Sequence, residues 1–496
     1  MDALEQLQED VRAGRIGLER LVAVIGALQR QLQAAQQRIA ELEQRLGGTP
    51  AHVAEPFSLR AEEQRQAARG KKRKVAKKAR RGRLRTADKV KRAERTEQVF
   101  PANLAPADCR LSHTRPVWRL ENGRALLIAY ESYRGPNNHY GKIPGVLGRS
   151  EFGLEIVVEI AYLVYVTGLS FDKVCSVLQF LQNLHLGKTQ TDALLRQLAR
   201  HWQHEFDVLC TLLANSLVVH TDETSWSINS VWAFLSEKAR VVLFGVPKDA
   251  ETLQHLLDPQ TFGGLVISDD AAVYAHFPQA QKCWAHLLRK AIKLTLQEPD
   301  NAAYRQFTDR LLAIYRQACA VQRDGRLSAD GRARQVAALD DALLDLCAPV
   351  WAAELPPLAG LDNDYRLLTK EVMRLMLAQQ LFTFVTTPPV TQPNQQSQPV
   401  AGTNNEAERT LRGAATARKT GRTNKTPVGA RRQTILVSVL ESLRVYLPHF
   451  TLPPVIAEVN RWWQAGQSCF TELLNKLQLP PPTASILDQI LPVPDG

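Results

Sequence analysis

The most constraining stretch of this sequence is Val219–Trp226, VHTDETSW. Apolar residues Leu217, Val218 and Val219 climb into two acids, Asp222 and Glu223, and two further strand-like runs follow at once, SVWAFLSE from Ser230 and VVLFGVP from Val241. A strand that ends on a carboxylate, at the start of an alternating β/α region, is a common place to hold a divalent metal, provided partner acids exist elsewhere. A second strand has the same design: GGLVISDD rises through Leu265–Ser268 to Asp269 and Asp270. Strand alternation puts Leu265, Ile267 and Asp269 on one face and Val266, Ser268 and Asp270 on the other, so only one of the two acids can share a site with the first strand. A third pair, Glu406 and Glu408 in NNEAER, lies two residues apart on an expected helix, and again one member alone can join. Three carboxylates from two strands and a helix suit Mg²⁺ or Mn²⁺, and two such ions stabilise the entering and leaving oxygens of an in-line phosphoryl displacement.

The surrounding pattern is mixed. Strands are expected at 217–222, 230–236, 240–246 and 264–269, helices at 249–257 and 272–277, and a further strand at Cys283–His286, CWAH. Before them come helices at 152–166 and 170–181, then a third after Gly187 with a threonine N-cap, which together suit a helix-turn-helix. From Leu287 to Val385 the period is helical, residues 386–402 are a polar, Pro-rich loop, and helices resume beyond it.

Charge divides the chain further. Between Arg69 and Arg95 stand 15 Lys/Arg against Asp88 and Glu94, so this segment accounts for the whole net charge of +12 and leaves the rest near −1. A tract including Lys71, Lys72, Arg73, Lys74, Lys77, Lys78, Arg80 and Arg81, with almost no large apolar residue around it, cannot bury a core, and its natural counter-ion is nucleic acid. Ahead of it, Leu4, Leu7, Val11, Leu18, Leu21, Ile25, Leu28, Leu32, Ala35, Ile39, Leu42 and Leu46 alternate spacings of three and four, missing only at Gly14. That is the seam of a coiled coil, and it predicts a homo-oligomer through residues 1–46. Seven scattered cysteines without a C-x-x-C pair indicate reduced thiols. The acidic N-terminus reads as no secretory signal and no apolar run is long enough to span a membrane, so a cytoplasmic, nucleoid-associated protein is expected.

HTDET, GGLVISDDAAVY, CWAHLLRK and NNEAERTLRGAATARK, in that order, resemble the signatures of DDE transposases of the IS-sixty-six insertion-sequence group, over about residues 150–445. The resemblance implies an RNase H-like mixed-sheet core interrupted by a helical insertion. It also implies the ligands left open above. The family's first acid opens the D-E-T triplet, Asp222; its second precedes a tyrosine by five, so Tyr274 selects Asp269; its third follows N-N-x-x and precedes arginine, which selects Glu408. Arg409, Arg412, Arg418 and Lys419 would then meet DNA phosphates, and His286 of CWAH would take a positioning role. Two departures stand out. Cys109 and His113 have no second pair where relatives often bind zinc, and Cys283 with His286 offers two ligands only, so zinc is not expected. The loop at 386–402 lies where the family usually runs more directly into its Asn-Asn motif.

The expected fold class is therefore α/β plus all-α parts. Its segments are a coiled-coil helix (1–48), a basic linker, disordered or DNA-binding (49–98), a helical, helix-turn-helix-like DNA-binding domain (99–210), the first part of the catalytic core (211–290), the helical insertion (291–385), the loop (386–402), the second part of the core (403–450) and a C-terminal tail (451–496) whose end, PPPTASILDQILPVPDG, looks like a loose arm. The expected function is a transposase that binds element ends and carries out metal-dependent cleavage and 3′-OH strand transfer, with two Mg²⁺ or Mn²⁺ ions, terminal-repeat and target DNA as partners, and accessory element-encoded proteins as further partners. The rivals are a non-catalytic DNA-binding, oligomerising protein, and an RNase H-like nuclease or resolvase using the same acids.

Overall fold

The computed structural model describes residues 84–351 and 360–492, together with isolated helical positions between 26 and 37. Most of the coiled-coil seam and the basic tract from Lys71 to Arg81 lie outside the described residues. From Leu84 onward the chain forms one compact unit.

This unit begins with a short helix, α1 (Thr86–Val90), and a three-stranded sheet: β1 (Arg95–Val99), β2 (Arg110–Glu121) and β3 (Arg124–Arg134), in the order β1-β3-β2. The sequence reads as a helical domain over 99–210, and the sheet at its start is a correction. The sequence does carry its signal. Asn122-Gly123 sits between two alternating runs, both residues take positive φ (49° and 76°), and that is the requirement of a tight hairpin turn. The helical part follows as α2 (Leu154–Ala161), continuing into a π turn at Tyr162–Val166, then α3 (Phe171–Gln182) and α4 (Lys188–Ala214). Ser170 caps α3 by accepting from the Lys173 amide, whereas α4 starts on Gly187 without a side-chain cap, not on a threonine.

The central sheet has five strands, β4 (Val218–Ser225), β5 (Ser230–Ser236), β6 (Arg240–Val246), β7 (Leu265–Ser268) and β8 (Ala280–Lys282), with α5 (Ala250–Leu256) between β6 and β7. Their spatial order is β6-β5-β4-β7-β8, antiparallel from β6 to β4 and parallel from β4 to β8. CWAH is not a strand. β8 ends at Lys282, Cys283 is an N-cap, and α6 runs Trp284–Gln297.

Helices α7 (Ala302–Arg323), α8 (Ala329–Trp351), α9 (Gly360–Leu377) and α10 (Thr383–Thr386) follow, then a two-residue ladder of β9 (Val390–Thr391) and β10 (Ser397–Gln398) inside the Pro-rich loop. The chain returns to the sheet as α11 (Asn405–Lys419) and α12 (Pro427–Tyr446). Two apolar cores meet at β4 and β7. Val219 and Val266 join the larger one with α4 and α12, while Val218, Leu265 and Ile267 join the core of the insertion helices.

The edge strand β6 would expose unpaired amides. α12 covers it with hydroxyls spaced four apart on one helix face: Thr434, Ser438 and Ser442 accept from the amides of Phe244, Val242 and Arg240, each at 2.9 Å.

The C-terminal tail is packed, and the arm expected to be loose, PPPTASILDQILPVPDG, contains a helix of its own. The tail forms α13 (Leu452–Ala465), α14 (Cys469–Lys476) and α15 (Ile486–Ile490), which bury Val459, Trp462, Phe470, Leu474 and Leu487 in the larger core. The sequence reading gave weight to the prolines and missed the apolar helix faces between them. Phe470, fully buried, packs against Tyr446 and Trp462 at ring separations of 4.8 and 5.7 Å. Phe470→Ala should therefore cost about 3–5 kcal/mol in chemical denaturation; a loss under ~1 kcal/mol would mean that the tail is not part of the core.

Candidate active site

Strand register aligns two of the acids. β4 and β7 pair in parallel as Val218↔Leu265, Val219↔Val266 and His220↔Ile267. Carried two residues further, the same register sets Asp222 beside Asp269, on the face shared by Val218, Leu265 and Ile267. Glu408 arrives from the first turn of α11.

The electrostatics report this convergence. The Asp222 carboxyl is pushed up to about 7, first by burial and then by the charge of Glu223, with Asp269 and Glu408 adding to it. All three donors are hard oxygens of the kind Mg²⁺ or Mn²⁺ prefers, but among the described residues the group of three whose ligand atoms lie within 4.8 Å of one another is Cys283, His286 and Glu408, not the three carboxylates.

The competing acids each have a cation of their own. Glu223, almost fully buried, pairs with Lys248 at 2.6 Å and accepts from the Tyr274 hydroxyl. Asp270 pairs with Arg374 of α9, and Glu406 with Arg240 at the start of β6. Glu406 and Glu408 therefore point to different neighbours, as their spacing of two predicts. Tyr274 touches Glu223 and Thr221, not Asp269.

Glu408 is held by Arg289, whose Nη2 donates to Oε1 at 2.5 Å, and faces His286 Nδ1 at 3.8 Å. Asp269 accepts from the Ala271 amide at 3.0 Å. Behind it lies Lys282, only 3% exposed, whose ammonium donates to the Asp269 carbonyl at 2.9 Å and to Ser268 Oγ at 3.2 Å. Burial draws the Lys282 ammonium below the usual lysine range. Sequence reasoning missed Arg289 and Lys282. Reading CWAH as a strand hid the helical spacing of three that sets Arg289 beside His286.

Arg409, Arg412, Arg418 and Lys419 are all exposed on α11. Arg418 donates to the Ser225 carbonyl at 2.7 Å, and Arg409 lines a cleft of about 1050 Å³ between α11 and the π turn.

Residues 149–432 match the model of the transposase IS66 family, more than half of the chain. The chain belongs to that family. No curated protein sequence matches it. As a transposase it acts on DNA by nucleotidyl transfer. No helix among the described residues is long and apolar enough to cross a membrane.

The raised Asp222 carboxyl makes a thermodynamic prediction for the metal-free transposase. Its folded value lies above that of the unfolded chain, so the native state binds the extra proton between pH about 4 and 7, and stability falls as pH rises through that window. Asp222→Asn removes this penalty. The variant should be about 1–2 kcal/mol more stable than wild type at pH 8 in a chelator, and equal to it near pH 4. Denaturant unfolding at the two pH values checks this, and a destabilised variant at pH 8 would contradict it.

Proposed function

We propose that the β4–β8 sheet is an RNase H-like catalytic core in which Asp222, Asp269 and Glu408 carry out DNA cleavage and strand transfer. The observation that carries this reading is the parallel β4–β7 register, which continues to Asp222 and Asp269; the charges of Glu223, Asp269 and Glu408 that raise the Asp222 carboxyl support it, as do the turns of Asp270 and Glu406 toward Arg374 and Arg240. The sheet order β6-β5-β4-β7-β8 and the insertion between β8 and α11 support it.

The three carboxylates would hold two Mg²⁺ or Mn²⁺ ions, which when bound neutralise charge on the entering and leaving oxygens. The reaction consists of two in-line displacements. Water attacks the phosphodiester at the element's end and the 3′-oxygen leaves as a hydroxyl; that hydroxyl then attacks a phosphodiester of target DNA, joining the strands and releasing a target 3′-hydroxyl. No covalent protein intermediate is needed, so the protein's part is positioning and charge placement. Arg289 and His286 orient the Glu408 carboxylate, and Lys282 braces the end of β7 from which Asp269 projects. Arg409, Arg412, Arg418 and Lys419 lie along α11 beyond Glu408 and bind the phosphates that flank the reacting one.

The remaining segments complete the reading. Residues 1–48 assemble copies of the chain, and the basic tract of 49–98 adds sequence-independent DNA affinity. The helices within 99–210 contact the element ends. Residues 211–290 and 403–450 form the two parts of the core, with 291–385 inserted between them.

Asp222→Asn, Asp269→Asn and Glu408→Gln should each reduce Mg²⁺-dependent cleavage and joining of end DNA by on the order of 10³-fold, while Asp270→Asn stays within about 10-fold of wild type. Gel assays with labelled terminal-repeat DNA check this. A triad variant that still cleaves and joins would sink the assignment.

A further inference from the structure

The sequence offers two soft ligands, Cys283 and His286, and the fold adds a third. Cys283 Sγ, a ring nitrogen of His286 and a carboxylate oxygen of Glu408 lie within 4.8 Å of one another. The Nδ1 of His286 is buried, makes no hydrogen bond and faces the Glu408 carboxylate. A buried, unpaired ring nitrogen needs a physical explanation, and a cation shared with the sulfur and the carboxylate supplies one.

The sulfur is placed for ligation as well. Cys283 is the N-cap of α6; burial raises its thiol, and the Asn404 amide, which donates to Sγ at 3.1 Å, offsets part of that. The residues also have a way in: Cys283 and His286 line a cleft of about 610 Å³ whose wall includes Asp269, Lys282, Lys290 and Arg374.

We propose that Cys283, His286 and Glu408 form an inhibitory Zn²⁺ site, which withdraws Glu408 from Asp222 and Asp269 when filled. Thiolate and imidazole prefer Zn²⁺ to Mg²⁺, whereas the carboxylate serves either ion. One side chain is thus common to a hard-metal set and a soft-metal set, and occupying the second disables the first. Binding exchanges the thiol proton for the metal and releases it to solvent, with water filling the fourth position. To reach Zn²⁺, Glu408 gives up its contact with Arg289, an exposed and solvent-screened pair that costs little to break. The inhibitory half of this proposal rests on the catalytic assignment of Glu408; the binding half does not.

The test uses the full-length protein stripped of metals and titrated with Co²⁺ as a spectroscopic stand-in for Zn²⁺. One equivalent should give a thiolate-to-cobalt charge-transfer band that Zn²⁺ displaces. The band should be absent in Cys283→Ser and weakened in His286→Gln, with circular dichroism verifying that both are folded. Zn²⁺ should inhibit Mg²⁺-dependent end cleavage by wild type, and Cys283→Ser should need on the order of 10-fold more Zn²⁺ for the same inhibition. A wild-type chain without the band, or a band that survives in folded Cys283→Ser, overturns the site. A normal band with cleavage indifferent to Zn²⁺, in a chain whose Glu408→Gln variant is inactive, overturns the inhibition. If Glu408→Gln still cleaves, the catalytic reading of Glu408 falls instead and the metal site stands.

Discussion

The candidate site depends on one fully buried residue, Asn404. Its side-chain amide donates to the Thr221 carbonyl at 2.7 Å, one residue before Asp222, and its backbone amide donates to the sulfur of Cys283 at 3.1 Å. Three elements distant in sequence, β4, the start of α6 and the start of α11, are thereby held to one point. A buried amide that lost these partners would leave polar groups unsatisfied at a cost of about 1–3 kcal/mol each, so the arrangement locks rather than slides. Glu408 sits one helical turn beyond this anchor, where the i+4 spacing gives it a fixed height over β4.

The acids around this anchor conflict with ordinary folding preference. Like charges that gather in a half-buried place push one another toward protonation, and Asp222 bears most of that strain. The surrounding chain limits the conflict by pairing four of these acids with cations: Lys248 with Glu223, Arg374 with Asp270, Arg240 with Glu406 and Arg289 with Glu408. What remains is concentrated at Asp222 and Asp269, and a divalent cation is the natural way to relieve it.

Much of this was legible in the sequence because it is periodic. Alternation along VVHTDE and LVISDD announced the strand ends, and the spacing of two between Glu406 and Glu408 announced that they diverge. The choice within each pair was not legible from spacing, because it turns on register between strands and on partners such as Arg374 that arrive from more than a hundred residues away. Two misreadings share one physical cause. CWAH begins a helix although Cys283 and Trp284 suit a strand, and the C-terminal helices lie behind prolines that suggest a loop. In both places tertiary burial, of Trp284 in the insertion core and of Trp462 and Phe470 in the larger one, outweighed local preference. The sheet at Arg95–Arg134 carries its strongest local signal at a single turn, Asn122-Gly123, between strands that alternate only partly.

The length between Asp269 and Glu408 also has a physical consequence. A segment this long would make the third acid's placement entropically expensive if it stayed unstructured. The insertion avoids that by building its own core, from Trp284 through Leu311 and Leu343 to Phe384, and by anchoring that core to the sheet. Trp284 Nε1 donates to the Leu381 carbonyl at 2.6 Å, and the Gln281 side chain bonds both the Leu381 carbonyl and the Phe384 amide. The chain therefore leaves the sheet at β8 and returns beside the same strand, so the closing distance that matters for Glu408 is the short one across Gln281 and Leu381. Catalytic geometry can then tolerate a long insertion, because its two ends close on each other at β8, while from within it Arg374 of α9 reaches back to Asp270.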